Sequence, residues 1–167
     1  MLQGKAYLVQ KAIPLALHQQ TPFDLRILVQ KNRRGHWEVA GMGIRVAGRN
    51  RITTHVPQGG RIEQVDKILG HLFPGNVEEI KEQVEQLALL TAHVLEEHYR
   101  RLGEFSLDMG LDQDGRLWLF EANAKPMKFD EEDIRQRSLF NLIDYAQYLT
   151  FHSHLEGDER DDLAQVN

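Results

Sequence analysis

The amino-acid sequence predicts an α+β fold: a mainly antiparallel sheet flanked by one long helix and a C-terminal helix. Short alternating segments fill the first third, an extended run of helical periodicity occupies the middle, and a hairpin pattern followed by a second helical run closes the chain. Strands grouped with strands, without strict β-α-β alternation, indicate this class.

Ala6 to Ile13 reads as a strand that the chain enters almost at once, and Pro14 to Pro22 as a connection. Phe23 to Gln30 (FDLRILVQ) alternates as a strand does. Lys31 to Gly35 is a polar turn, and His36 to Val46 is the next strand, in which Gly41 and Gly43 suggest a bulge or a close backbone approach. Arg51 to His55 reads as a short strand running into the loop Val56-Pro57-Gln58-Gly59-Gly60. Asn76, with Glu79 three residues on, resembles a capping box. Val77, Ile80, Val84, Leu87, Thr91, Val94 and His98 follow at helical spacing, so a long amphipathic helix runs to about Leu102 and stops at Gly103. Phe105 to Leu111 and Leu117 to Ala122 flank Gln113-Asp114-Gly115, and Asp-Gly between apolar runs is a strong hairpin signal. Asp130 to about Phe151 is the last helix, with Phe140, Leu142, Ile143, Ala146 and Leu149 as its apolar stripe. The domain reading is residues 1–151 as one partial domain and 152–167 as a polar, disordered tail.

Composition narrows the function classes. The net charge of −5 argues against a general nucleic-acid binder, whose domains are usually basic. With no cysteine, the chain has no disulfide, thiolate metal site or thiol nucleophile. No apolar run approaches the ~18 residues needed to span a bilayer, and the N-terminus lacks the continuous apolar core of a secretion signal. The expectation is a cytoplasmic protein. His93 and His98 are five apart, not four, and so diverge around a helix, and His152 and His154 lack a third ligand.

The chemistry sits in the hairpin. Glu121 and Asn123 are two apart on one arm and share a face. Folding at Asp114-Gly115 brings Asp108 of the other arm towards them. Two carboxylates and an amide oxygen converging on one spot suit Mg²⁺, a hard cation that takes few carboxylates and completes its shell with water and phosphate. The competing reading is a surface hairpin with solvated acids. Asp24 and Arg26 share a face of the earlier strand, and Arg45 lies beside them if the two strands pair. Two arginines near metal ligands make a phosphate clamp; the alternative is a structural ion pair. Gly59-Gly60 would open backbone N–H groups to anionic oxygens, or simply make a turn.

Asp108, then Glu121-x-Asn123, then Lys125-Pro126 resembles the metal-binding end of ATP-grasp proteins. Asp24-x-Arg26, Arg45 and the Thr53-Thr54 to Gly59-Gly60 loop resemble the strands and loop before it in glutathione synthetase and the ribosomal-protein glutamate ligase. GEFSLDMGLDQDGRLWLFEANAKPMK is similar to the signature of the YheC/YheD endospore coat-associated group, and IDYAQYL to its closing helix, so the resemblance covers Tyr7 to Phe151. It implies the C-terminal lobe of that fold, with Mg²⁺ (or Mn²⁺) and ATP as cofactors and ATP-dependent carboxylate–amine ligation through an acyl-phosphate as the reaction. Asp108, Glu121 and Asn123 would hold metal, and Arg26, Arg45 and Lys125 would face the transferring phosphoryl group. Gln10, Lys11 and Ala12 would lie against adenine, with Gly59 and Gly60 near the phosphates. The first, nucleotide-clamping lobe is missing from the pattern, and His55 stands where many relatives have Asn. The implied partners are therefore a nucleotide, a carboxylate and amine of unknown identity, and either a chain bringing that lobe or a second copy. A non-catalytic, spore-associated protein that keeps the fold, one piece of a split enzyme, and an unrelated α+β binding domain are the alternatives.

Overall fold

The computed structural model describes residues 11–48, 54 and 59–164, with the side chains of 153–164 excepted. Its elements run β1 (Leu17–His18), β2 (Thr21–Lys31), β3 (Trp37–Val46), β4 (Arg61–Glu63), α1 (Val65–Leu72), α2 (Val77–His98), β5 (Glu104–Leu111), β6 (Leu117–Asn123) and α3 (Glu132–Ala164). The sheet is antiparallel in the order β4-β3-β2-β5-β6, with β1 folded back on β2. This is the α+β architecture that the sequence predicts.

The alternation in β2 divides the molecule. Phe23, Leu25, Ile27 and Val29 point to one side, where they meet Ile44 and Val46 of β3 and Phe105, Leu107, Met109 and Leu111 of β5. α1 closes that core with Ile68 and Leu69, and α2 with Ile80, Val84, Ala88 and Ala92. Asp24, Arg26, Leu28 and Gln30 point to the other side. There α3 covers only one end, where Phe129 and Ile134 pack on Leu28 and Ala40. Among the described residues no helix covers the other end, around Asp24 and Arg26.

Gly41 and Gly43 answer to both features that their spacing suggests. The β2–β3 register slips between Leu28 and Val29, so that Ala40 of β3 has no partner. A Cβ on Gly41 would stand 2.6 Å from Ile134, and one on Gly43 would stand 2.2 Å from the Glu131 carboxylate. These bare positions let the start of α3 lie directly on the sheet.

Several expectations need correction. α1 and β4 precede the long helix and were not foreseen. No side-chain cap forms at Asn76, whose backbone (φ −113, ψ 10) leaves the extended conformation that a capping side chain needs. The stripe expected to seat α3 is largely outward: Phe140, Leu142, Ile143 and Leu149 are all exposed. The helix instead meets the sheet through a second stripe. Ser138 bonds Gln30, Asn141 bonds Glu38, and Tyr145 and Tyr148 lie against Gly103 and Gly35. Polar and aromatic side chains suit a sheet face that offers glycine and amide groups. α3 also runs to Ala164, past the end expected near Phe151. Residues 11–14 form no strand, and residues 6–10 and most of 51–55 lie outside the described residues.

Candidate metal and nucleotide site

The hairpin is set by its turn. Asp112 is buried, and its Oδ1 accepts the backbone N–H groups of Asp114 (3.0 Å) and Arg116 (2.9 Å). Its Oδ2 accepts Trp118 Nε1 at 3.0 Å, and Gly115 completes the reversal at φ 79. Together these fix the pairing of β5 with β6: Ser106 opposite Asn123, Leu107 opposite Ala122, and Asp108 opposite Glu121. Cross-strand partners project to the same face with Cβ atoms about 4.5–5.5 Å apart. Asp108, Glu121 and Asn123 therefore share one side of two adjacent strands.

Arg26 and Arg45 reach that same side. Arg26 is the β2 partner of Asp108 and the β3 neighbour of Gly43, and Arg45 is opposite Asp24. The two arginines are used differently. Arg45 is 8% exposed and paired with two acids. Its Nε and Nη2 donate to the two oxygens of Asp24, each at 2.9 Å, and its Nη2 lies 3.0 Å from Asp108 Oδ2. The Thr54 hydroxyl adds a donor to Asp24 at 2.5 Å. Burial acts against the Arg45 charge, but Asp24 and Asp108 outweigh it and raise its pKa above the ordinary arginine value.

Arg26 is the reverse case. Burial and the neighbouring Arg45 charge lower its pKa, and the carboxylates of Asp108, Asp24 and Glu131 offset this only in part. It is held in place from outside the sheet: Nη2 donates to the Met127 carbonyl at 2.9 Å, and the Phe129 ring lies 4.6 Å from the guanidinium carbon. Glu131 stands over Gly43 beside it. The Arg26 Nε is buried with no partner, and so is Oδ1 of Asp108. A buried unpaired donor and a buried unpaired carboxylate oxygen thus sit on cross-strand partners. That is the demand expected where an anion and a cation bind together.

The side chains fit Mg²⁺ on chemical grounds. Asp108 has one oxygen tied to Arg45 and one without a partner, while Glu121 and Asn123 stand beside it on the rim. Among the described residues no group of three or more His, Cys, Asp or Glu could hold a metal by itself. A cation here would have two carboxylates and an amide oxygen, and would need ligand oxygens to complete its shell, as Mg²⁺ commonly does with phosphates.

The remaining candidates are distributed less tightly. Lys125 is exposed, just beyond Asn123. Lys11 lies 5.4 Å over the Trp118 ring, Ala12 is exposed, and the segment then bridges to the hairpin turn through Leu15 and Asp112. Gly59 has φ 95, and its carbonyl lies where a Cβ on Gly48 would stand, past the end of β3. Gln10 and His55 lie outside the described residues. One contributor went unread in the sequence. The β5–β6 register slips after Asp108, so that Phe120 has no partner. Its ring then covers Gly110 beside Leu15, where a Cβ on Gly110 would be 2.4 Å from the ring. Phe120 is 40% exposed, and so it forms an accessible apolar plate beside the acids.

The family model described as "YheC/D like ATP-grasp" matches residues 1–149. Two curated proteins of Bacillus subtilis (strain 168) are similar over part of their length. Endospore coat-associated protein YheD is 35% identical over 121 residues, covering 72% of this chain and 26% of YheD. Endospore coat-associated protein YheC is 26% identical over 120 residues, covering 72% of this chain and 33% of YheC. The chain thus spans a quarter to a third of these relatives. Among the described residues no helix is long and apolar enough to cross a membrane.

Proposed function

The chain belongs to the YheC/D-like ATP-grasp family, and from that premise we propose that it is the metal- and nucleotide-binding part of an ATP-dependent carboxylate–amine ligase. The observation that carries this reading is the grouping of Asp108, Glu121 and Asn123 on one sheet face, with an unpartnered Asp108 oxygen next to an unpartnered Arg26 N–H.

In this reading Asp108, Glu121 and Asn123 hold Mg²⁺. Mg²⁺ bound there supplies charge neutralisation to phosphate oxygens as the γ-phosphoryl group passes to a carboxylate. Arg45 is a positioning residue: its grip on Asp24 and Asp108 holds one Asp108 oxygen and leaves the other without a protein partner. Arg26 brings its positive charge to a phosphate group, which offsets the burial and the Arg45 charge that act against it. Phe120 on Gly110 offers a flat apolar surface to a nucleobase, and Lys11 and Ala12 lie towards that side of the hairpin. Lys125 adds positive charge at the rim. Gly59 and Gly60 line the phosphate side through their backbone N–H groups.

The test is a titration of Mg-ATP and Mg-ADP by calorimetry. The contacts named support a Kd of about 0.1–1 mM, or about −5.5 to −4 kcal/mol. Binding should require Mg²⁺ and weaken at least tenfold in both Asp108→Asn and Glu121→Gln, while Glu97→Gln on α2 leaves it unchanged. Metal-independent binding, or binding that survives both substitutions, refutes the site. A second reading is favoured by the printed names of the two relatives: a coat-associated protein that keeps the fold without turnover. ADP release with a panel of amino acids separates the two.

A further inference from the structure

We propose that the hollow between α3, the 126–129 segment and the start of β5 binds a primary alkylammonium compound, an apolar chain ending in –NH₃⁺. The hollow has a volume of about 490 Å³, within the ~300–1,000 Å³ typical of small-molecule sites. Its walls are Leu28 of the sheet, Met127 and Phe129 of the segment, and Leu139 and Leu142 of α3. Met127 and Leu139 are 60% and 61% exposed, so this apolar surface stands open to water.

The polar end of the hollow is made by Glu104 and Ser138, with Gln30 behind them. Glu104 and Ser138 both line the cavity, and Gln30, 1% exposed, ties them together. Its Nε2 donates to Glu104 Oε2 and to Ser138 Oγ, each at 2.9 Å. Those bonds orient the amide and leave Gln30 Oε1 buried without a partner. Gln30 itself does not line the hollow; the groups that do are the Glu104 carboxylate and the Ser138 hydroxyl, and a carboxylate held there calls for a positively charged donor. An ammonium supplies three N–H groups and that charge. The competing charges are accounted for: Arg135 is paired with Glu132, and Lys128 is exposed at the mouth. Among the described residues Glu104 accepts from Gln30 and has no cationic partner.

This site is separate from the nucleotide reading, since none of its polar groups is a proposed metal or phosphate contact, and it is tested without metal or nucleotide. The experiment titrates the whole chain with n-butylamine, n-pentylamine and n-hexylamine, and with n-hexanol as the uncharged control, by chemical-shift perturbation. Affinity should rise about fourfold per methylene as the chain fills the apolar walls. Hexylamine should bind at least tenfold tighter than hexanol, with shifts centred on Gln30, Ser138 and Leu142. Glu104→Gln, which keeps the acceptor for Gln30, should remove that tenfold preference while leaving hexanol binding intact. Equal binding of amine and alcohol by the wild-type chain, or no saturable amine binding, overturns the proposal without reference to any variant.

Discussion

Arg45→Met removes the one cation that joins Asp24 to Asp108, and its cost can be worked from the geometry. The Arg45 side chain is 10% exposed, that of Asp24 13% and that of Asp108 20%. In its absence, among the described residues, two carboxylates are left with the Thr54 hydroxyl and the Arg26 guanidinium nearby. Stripping one partner from a buried pair costs about 3–5 kcal/mol. The residual exposure of Asp108 lets water recover part of that, so a loss near the lower bound of about 3 kcal/mol is expected. For a chain of this size each kcal/mol moves the midpoint by about 2–4 °C, so Tm should fall by about 6–12 °C in thermal unfolding followed by circular dichroism. Asp24→Asn added to Arg45→Met should recover part of the loss, because it removes one of the uncompensated carboxylates. A drop below 2 °C, or a double variant no more stable than the single one, would show that Arg45 does not hold the two acids together.

Gly41→Ala should destabilise by about 1–3 kcal/mol through overpacking, since its Cβ would meet three carbons of Ile134 at 2.6–2.8 Å; Gly43→Ala should cost less because only the flexible Glu131 carboxylate must move, and urea denaturation of the two variants checks the order. Hydrogen bonding from Lys31, aided by Trp37, lowers the Glu96 pKa. Its contribution is therefore present above the ordinary glutamate value of 4.5 and is lost as pH falls through the lower folded value, so Glu96→Gln should flatten the acid limb of Tm against pH. Gln19 and Gln20 occupy the β1–β2 turn at φ 50 and φ 61, a conformation that costs non-glycine residues; Gln19→Asn with Gln20→Gly should raise stability by about 1 kcal/mol, read as a higher midpoint in urea.

Most of the sheet was legible because its alternation is clean. From Phe23 to Gln30 the odd positions of β2 are apolar and buried while the even positions Asp24, Arg26 and Gln30 are polar, so strand, core face and candidate site face follow from period two. The Asp-Gly turn likewise announced the hairpin that pairs Asp108 with Glu121. β4 is three residues long, too short for periodicity to register. α1 was within reach: Val65, Ile68, Leu69 and Leu72 recur at helical spacing. Phe120 was hidden by the same rule that found Glu121. Strict alternation sends adjacent residues to opposite faces, and only the register slip after Asp108 lets Phe120 and Glu121 serve one side. The reversed face of α3 was hidden for a different reason. An apolar stripe says that a helix has something to bury, but the nearest surface was a sheet face of amide and glycine that favours Ser138, Asn141 and Tyr145.

The site face is defined as much by missing side chains as by those present. Gly41, Gly43 and Gly110 all lie on it, and in each a Cβ would come within 2.6 Å of a group laid over the sheet: Ile134, Glu131 and the Phe120 ring. Those three groups come from the first turns of α3 and from the bulge in β6, the two stretches on either side of the 124–130 segment that also holds Arg26 through Met127 and Phe129. The floor, the arginine and the rim acids are therefore mechanically joined. A change that lifts α3 from Gly41 also loosens the grip on Arg26, although Ile134 touches no ligand. For this reason a loss of nucleotide binding in Gly41→Ala must be measured beside alkylammonium binding before it is assigned to a lost contact: displacement through α3 should weaken both together, because Met127 and Phe129 hold Arg26 and also wall the hollow.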